Sequence, residues 1–177
     1  SGLTRFGREI IGEMNKYGMM VDCSHVGERT TLDAIEAASK PVAVTHANPA
    51  TLKPHARNKS DRVLKALAES DGIIGLAIYR NITPDFACDT VDGWAEMMAR
   101  TVDVAGIDHV GIGTDAGHYV GTPELDWMRQ GRWTRSEQYG AGSKVVAEMP
   151  PPPDWLTDIS KMGLLPDALK RRGFSDD

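Results

Sequence analysis

The sequence predicts an α/β protein in which helices cover a parallel β-sheet. Four segments of the chain follow the same order, in which an amphipathic helical pattern ends at Gly or Pro and a short apolar strand follows. The strands are almost continuously apolar, as is typical of parallel strands that are buried on both faces. Two architectures remain open, a doubly wound sheet and a (β/α)8 barrel, and both place functional residues at the carboxyl ends of the strands.

The first helix is expected to begin after Thr4, whose hydroxyl can cap it, and to end before Gly18. Three further helices are predicted: one at 28–39, one that begins after the cap Ser60, and one at 91–105 after the cap Thr90. The inward face of the first helix is predicted to carry Phe6, Ile10, Ile11 and Met14, and that of the last Trp94, Met97, Met98, Thr101 and Val102. The strands are predicted at 19–24, 42–45, 73–77 and 110–114.

Length and composition indicate one globular domain segment. The chain has 177 residues, of which 41% are hydrophobic and 25% charged, and this composition excludes global disorder. The net charge of −5 argues against nucleic acid or an anionic membrane as the main partner. The longest strongly apolar run, from Gly72 to Tyr79, is too short to cross a bilayer. Two cysteines are too few for a disulfide scaffold.

We expect a single barrel segment over 1–177, with βα repeats at 1–115, a loop or lid at 116–153 and a helical end at 154–177. Because a full barrel typically has about 250 residues, four βα units would form roughly half of one. The chain begins with Ser1 rather than Met, and we interpret both of its ends as cut edges of a longer protein.

Chemically versatile side chains follow three of the four predicted strands. His25 follows the first strand, His46 the second and Asp115 the fourth, so all three are expected at one rim of the sheet. Imidazole and carboxylate groups are preferred ligands of zinc, which activates water, while a nearby carboxylate can move protons. Asp22 alternates to the other face of its strand and is not counted as a ligand.

Arg57 follows the second histidine by about ten residues, and its guanidinium could bind a substrate carboxylate with two hydrogen bonds. An equally weighted interpretation is a surface arginine near the helix cap Ser60. His109 precedes its strand and is expected to be structural, while His55 and His118 are weaker candidates in loops.

Two other motifs are rejected. Residues 111–116 fit a loose dinucleotide-binding fingerprint, but no helical pattern follows them to receive a pyrophosphate. Cys23 lies near His25 without a third group to orient a thiol nucleophile, so we interpret it as a core residue.

Six motifs in order resemble the membrane dipeptidase (renal dipeptidase) family of zinc peptidases. They read LTxFGRE at 3–9, MNxxGM at 14–19, DxSH at 22–25, PVxxTHAN at 41–48, RN at 57–58 and GIDHVGIGTD at 106–115. The resemblance implies a (β/α)8 TIM barrel of the metal-dependent hydrolase type, of which this chain is roughly the C-terminal half. It also implies a two-zinc centre that hydrolyses dipeptides through a metal-bound hydroxide.

The resemblance further assigns roles to individual residues. His25 and His46 match two ligands of the second zinc, Arg57 matches the residue that holds the terminal carboxylate of the substrate, and Asp115 matches the proton-transfer group. The family's His-x-Asp pair and bridging glutamate lie on earlier strands, so we expect an incomplete active site in this chain.

Two alternatives to a dipeptidase remain. One is a relative that binds a ligand or partner without turnover, motivated by the family departure Ala116-Gly117-His118. The other is a different metal-dependent amide or lactone hydrolase on the same barrel. Because an open half-sheet leaves an unpaired edge, pairing with a partner is expected, and a homodimer is one form it could take. The expected compartment is the cytoplasm.

Overall fold

The computed structural model describes residues 2–116 and 151–176 and contains a parallel sheet of four strands. The strands are β1 (Val21–Asp22), β2 (Val42–Ala47), β3 (Ile73–Leu76) and β4 (Val110–Ile112), side by side in chain order. A doubly wound sheet reverses its strand order at a switch point, whereas a barrel adds each parallel strand beside the preceding one. The strand order therefore favours the barrel.

Six α-helices lie in the described part of the chain. They are α1 (Arg5–Lys16), α2 (Glu28–Ala37), α3 (Asp61–Glu69), α4 (Asp85–Asp89), α5 (Val91–Ala105) and α6 (Leu165–Arg171). The predicted caps are confirmed, because the hydroxyls of Thr4, Ser60 and Thr90 each accept a hydrogen bond from the first turn of α1, α3 and α5. No helix among these residues is both long enough and apolar enough to span a membrane.

Helix α5 is the centre of the packing, in contact with α3, α4, α6 and β4. Its predicted inward residues Trp94, Met97, Met98 and Thr101 are buried, whereas Val102 is half-buried. The Trp94 ring meets that of Trp155, with 6.2 Å between ring centroids. The indole of Trp155 donates a hydrogen bond to the carbonyl of Ala87 (2.9 Å), which ties the C-terminal segment to α4.

The predicted inward face of α1 is partly wrong. Phe6 and Ile10 are 68% and 43% exposed, whereas Ile11 is 4% exposed. Adjacent residues lie about 100° apart around an α-helix, so the buried stripe is centred on Ile11 rather than on Ile10. The cause is the contact between α1 and α2, which takes the face that carries Ile11 and the half-buried Met14.

The predicted strand limits also need correction. The first strand is shorter than 19–24, because the Asp22 carboxylate accepts a hydrogen bond from the backbone N–H of Ser24 and turns the chain out of the sheet. The second strand is longer than 42–45 and continues to Ala47, with a register shift against β3 between Val44 and Ala47. Such an irregularity can re-aim a side chain at the end of a strand.

Residues 1–115 and 152–177 form one compact unit, which holds nearly every described residue. The loop or lid expected at 116–153 lies outside the described residues, apart from 116 and 151–153.

Candidate metal centre

The site is built where β1 and β2 end. The turn after Asp22 places His25 beside β2, where His46 is the last residue but one of the strand. The Nε2 atoms of the two imidazoles are 3.0 Å apart, and the rings meet edge to face with 5.1 Å between centroids. The two histidines that the sequence predicts at neighbouring strand ends are therefore adjacent.

The separation of these nitrogens fits a shared metal ion. Zinc bonds to imidazole nitrogen measure about 2.0–2.1 Å in a tetrahedral arrangement, which separates two nitrogens on one ion by roughly 3.3 Å. The other ring nitrogen of His46, Nδ1, lies 2.9 Å from Thr45 Oγ1. Metal-binding histidines are usually held in this way through their second nitrogen.

A catalytic zinc normally has three protein ligands. Within 2–116 and 151–176, no cluster of three His, Cys, Asp or Glu side chains could hold a metal. The described part of the chain therefore provides two imidazole donors that fit zinc, but not a full ligand set.

Electrostatics favours the neutral form of His25. Burial lowers the pKa of its imidazole, and the positive charge of Arg57 and the proximity of His46 lower it further. The carboxylates of Asp115 and Asp22 act in the opposite direction without cancelling the effect. At neutral pH the ring therefore has a lone pair available for a metal.

Arg57 lies at this histidine pair rather than at the start of α3. Its Nε donates to the carbonyl of Ser24 (3.4 Å) and its Nη2 to the carbonyl of His46 (3.5 Å). Ser60, not Arg57, caps α3. The half-buried guanidinium thus spans the segments that carry the two histidines.

Asp115 follows β4 and has a positive backbone φ of 58°, a conformation that Asp tolerates better than most residues. Its side chain is exposed, and its charge is close enough to His25 to influence the pKa of the imidazole. The acidic residue predicted at the fourth strand end therefore lies in the electrostatic neighbourhood of the histidine pair.

The remaining histidines have other surroundings. His109 Nδ1 lies 2.9 Å from the carbonyl oxygen of Gly72, at the amino end of β3 and β4, in agreement with a structural role. His55 Nδ1 accepts a hydrogen bond from the backbone N–H of Arg57 (3.1 Å). His118 lies outside the described residues.

Lys59 was not predicted from the sequence, and it stabilises the turn that carries His25. Its side chain is 1% exposed, and its Nζ donates to the carbonyls of Cys23 (2.7 Å) and Val26 (2.6 Å). Burial lowers the pKa of this amine to about 8. A lysine in a polar loop is normally solvated, so no local pattern signals this contact.

Asn48 is a second residue whose role was missed. Its fully buried side chain accepts a hydrogen bond from the N–H of Ala77 (3.0 Å) and donates to the carbonyls of Ala77 and Ile82 and to Thr83 Oγ1. It thereby joins the carboxyl end of β2 to the loop that follows β3. The THAN motif could have pointed to it, since it lies two residues beyond His46.

Consecutive parallel strands define a barrel-type α/β protein, in which two adjacent imidazoles lie at the carboxyl ends of β1 and β2. Residues 1–127 match the model of the membrane dipeptidase family, peptidase family M19. The chain belongs to this family, as its motifs predicted.

Two curated relatives are dipeptidases by name. The chain is 40% identical over 116 residues to an uncharacterized dipeptidase of Schizosaccharomyces pombe, covering 64% of this chain and 28% of the relative. It is 36% identical over 175 residues to dipeptidase verJ of Clonostachys rogersoniana, covering 99% of this chain and 37% of the relative. The chain therefore spans less than two fifths of the length of either relative.

Solved structures share the fold. An amidohydrolase from Pseudomonas aeruginosa matches with a TM-score of 0.83 at 31% identity, over 99% of this chain and 52% of that protein. A dipeptidase described as a metallopeptidase of family M19 matches with a TM-score of 0.73 at 24% identity, over 99% of this chain and 43% of that protein. The predicted α/β fold of the TIM-barrel type is confirmed, with this chain as part of it.

Proposed function

We propose that this chain carries part of the active site of a zinc-dependent dipeptidase. The observation that supports the proposal most strongly is the 3.0 Å separation of the Nε2 atoms of His25 and His46 in a member of the membrane dipeptidase family. In this proposal the two imidazoles hold one of two zinc ions. A bound zinc ion supplies Lewis acidity, which polarises the substrate carbonyl and lowers the pKa of water.

The other two residues act on the substrate. Arg57 binds the terminal carboxylate of the dipeptide through its guanidinium, which matches the planar geometry of a carboxylate. Its hydrogen bonds to the carbonyls of Ser24 and His46 support this role, because they fix its distance from the metal ligands. Asp115 accepts a proton from the attacking water and delivers it to the leaving amine.

The first test is zinc binding by the 177-residue chain, measured by elemental analysis and by titration with Zn²⁺. We expect binding that is lost in H25A and in H46A. H55A is the matched control, because His55 is an exposed loop histidine outside the pair. Unchanged binding in both H25A and H46A would refute the ligand assignment.

The second test is hydrolysis by the complete protein of a panel of dipeptides, including substrates with a D residue at the carboxyl side. R57A is expected to raise KM with a smaller effect on kcat, whereas D115N is expected to lower kcat. Zinc binding by the complete protein without hydrolysis of any dipeptide would favour a relative that binds a ligand or partner without turnover.

A different metal-dependent amide hydrolase is the second candidate. The 31% identity to a protein described as an amidohydrolase favours this alternative over others. Adding N-acyl amides and lactones to the substrate panel separates the two, since an amide or lactone hydrolase would cleave one of these classes and leave the dipeptides intact.

We also propose that a partner covers the free edge of β1, which in the described residues pairs with β2 on one side only. An unpaired edge strand is a template for association. Sedimentation of the chain at several concentrations tests whether this partner is a second copy.

A further inference from the structure

The Asp22 carboxylate accepts four hydrogen bonds, two from Ser24 in the turn after β1 and two from Thr45 on β2. Its Oδ1 accepts from Ser24 N (3.0 Å), Ser24 Oγ (2.6 Å) and Thr45 N (3.1 Å). Its Oδ2 accepts from Thr45 Oγ1 (2.8 Å). The Thr45 hydroxyl thus connects the Asp22 carboxylate to the imidazole of His46.

The hydrogen bonds keep this carboxylate ionised. Burial acts to raise the pKa of Asp22, but the bonds from Ser24 and Thr45 together outweigh it and lower the pKa below its ordinary value. An ionised carboxylate can only accept hydrogen bonds, so each neighbouring hydroxyl must donate its proton towards it.

Counting protons then fixes the direction of the next contact. The hydroxyl of Thr45 has one proton, which it donates to Asp22 Oδ2. The 2.9 Å contact between Thr45 Oγ1 and His46 Nδ1 is therefore donated by Nδ1–H. A neutral imidazole has one N–H, so the Nε2 atom of His46 carries a lone pair.

The hydroxyl of Ser24 does not change this count. Ser24 Oγ lies 2.6 Å from Asp22 Oδ1 and 3.0 Å from Thr45 Oγ1, and it accepts from the backbone N–H of His46 (3.1 Å). If Thr45 donated to His46 instead, Asp22 Oδ2 would lose the hydroxyl proton that it now accepts. The charge on Asp22 therefore opposes the other tautomer of His46.

We propose that Asp22 is a positioning residue that sets the tautomer of His46 through Thr45 and keeps the Nε2 lone pair directed at His25. The inference deepens the proposed function and depends on it only for the role of a metal at that lone pair. It goes beyond the ligand assignment because it gives a task to a residue that binds neither metal nor substrate.

The tautomer can be measured without metal. Long-range ¹H–¹⁵N NMR of the metal-free chain, at a pH well above the ordinary histidine pKa of about 6.5, reports which ring nitrogen of His46 is protonated. The resonances are assigned by their loss in H46N. We expect a protonated Nδ1 and an unprotonated Nε2 in the wild type. A protonated Nε2 in the wild type would overturn the proposal.

Variants test the dependence on Asp22. In D22N the amide can donate to Thr45, which frees the Thr45 hydroxyl to donate to His46 Nδ1 and shifts the tautomer towards Nε2–H. D71N is the matched control, because Asp71 is exposed and has a positive φ of 55° that Asn also adopts. An unchanged tautomer in folded D22N would refute the proposal.

A second pair of variants, T45V and T45S, tests the same connection if D22N does not fold. T45V removes the hydroxyl and should release the tautomer, whereas T45S keeps the hydroxyl and should restore the wild-type spectrum. If T45V and T45S gave the same His46 tautomer as the wild type, the connection through Thr45 would be excluded.

Zinc titration separates this inference from the proposed function. Loss of a group that orients a ligating histidine typically weakens metal binding about 10–100-fold, and we expect a change of that size in D22N and T45V but not in D71N. Wild-type affinity in folded D22N would overturn the role of Asp22 towards the metal. A wild-type chain with the expected tautomer but no zinc binding would instead reject the proposed function alone.

Discussion

Asn48 provides the sharpest test of how the site is held together. We expect N48A to lower the free energy of unfolding by removing four side-chain hydrogen bonds in a fully buried position. These bonds join the end of β2 to the loop after β3, so the variant should also loosen the strand end that carries His46.

The expected destabilisation depends on the hydrogen bonds that the partners of Asn48 retain in N48A. The side-chain NH2 of Asn48 has two protons for its three acceptors, so the four contacts correspond to about three full hydrogen bonds, or roughly 3 kcal/mol at about 1 kcal/mol for a typical bond. The partners keep other contacts. Ile82 O accepts from Asn58 (2.8 Å), and the Ala77 N–H also contacts Ala47 O (3.4 Å). The Thr83 hydroxyl has one proton, which it can donate to Ala77 O (3.2 Å) or to Tyr79 O (2.9 Å). We therefore expect a loss of about 3 kcal/mol. For a chain of this size that corresponds to a decrease in Tm of roughly 6–12 °C.

The assay is thermal unfolding followed by circular dichroism, with chemical denaturation as a second measure. N81A is the matched control, because Asn81 is exposed and its amide donates one bond, to the Tyr79 hydroxyl. N48D keeps the volume but loses the donors, so it should be at least as unstable as N48A. A decrease in Tm for N48A no larger than that for N81A would refute the reasoning.

Three further predictions concern other parts of the fold. G75A should destabilise the chain, because a Cβ there would overlap the carbonyl oxygen of Thr45. G12A is the control and should not destabilise it, because nothing lies within 4 Å of a Cβ at that position. Coinciding denaturation curves for the two variants would contradict this prediction. Burial raises the pKa of the Cys23 thiol, so we expect the rate of labelling by a thiol reagent to be limited by global unfolding. Rapid labelling of the native chain would be inconsistent with the structure. Because the pKa of Asp22 is lowered in the folded state, its carboxylate stabilises the fold at pH values above the unfolded pKa of about 3.9. This stabilisation is lost as the pH falls through the folded pKa. The free energy of unfolding should therefore fall less steeply below about pH 5 in D22N than in the wild type.

Short-range signals in the sequence predicted much of the fold. The caps Thr4, Ser60 and Thr90 depend on contacts three residues away, and the structure has all three. The strand exits were also predictable, because parallel strands in consecutive order bring the residues after them to one edge. This is why His25 and His46 were expected together and are found 3.0 Å apart between their Nε2 atoms.

What the sequence did not predict depends on contacts between distant segments. Lys59 donates across 36 residues to Cys23, and Asn48 across 29 residues to Ala77, and neither partner can be read from local periodicity. Alternation along β1 predicted that Asp22 is not a ligand, but it could not show that the carboxylate reaches Thr45 on the next strand. The buried face of α1 could likewise not be predicted from the sequence, because it depends on where α2 packs.

Thr45 joins the site to the sheet through both its side chain and its backbone. Its N–H and hydroxyl bind Asp22, and its carbonyl oxygen is so close to Gly75 and Gly113 that neither position has space for a Cβ. A change in how β3 and β4 pack can therefore reach the His46 ring through Thr45 alone. In a saturation mutagenesis of this protein, distance from the histidine pair would be a poor guide to sensitivity, because glycines beneath the rim should tolerate fewer replacements than many residues beside it.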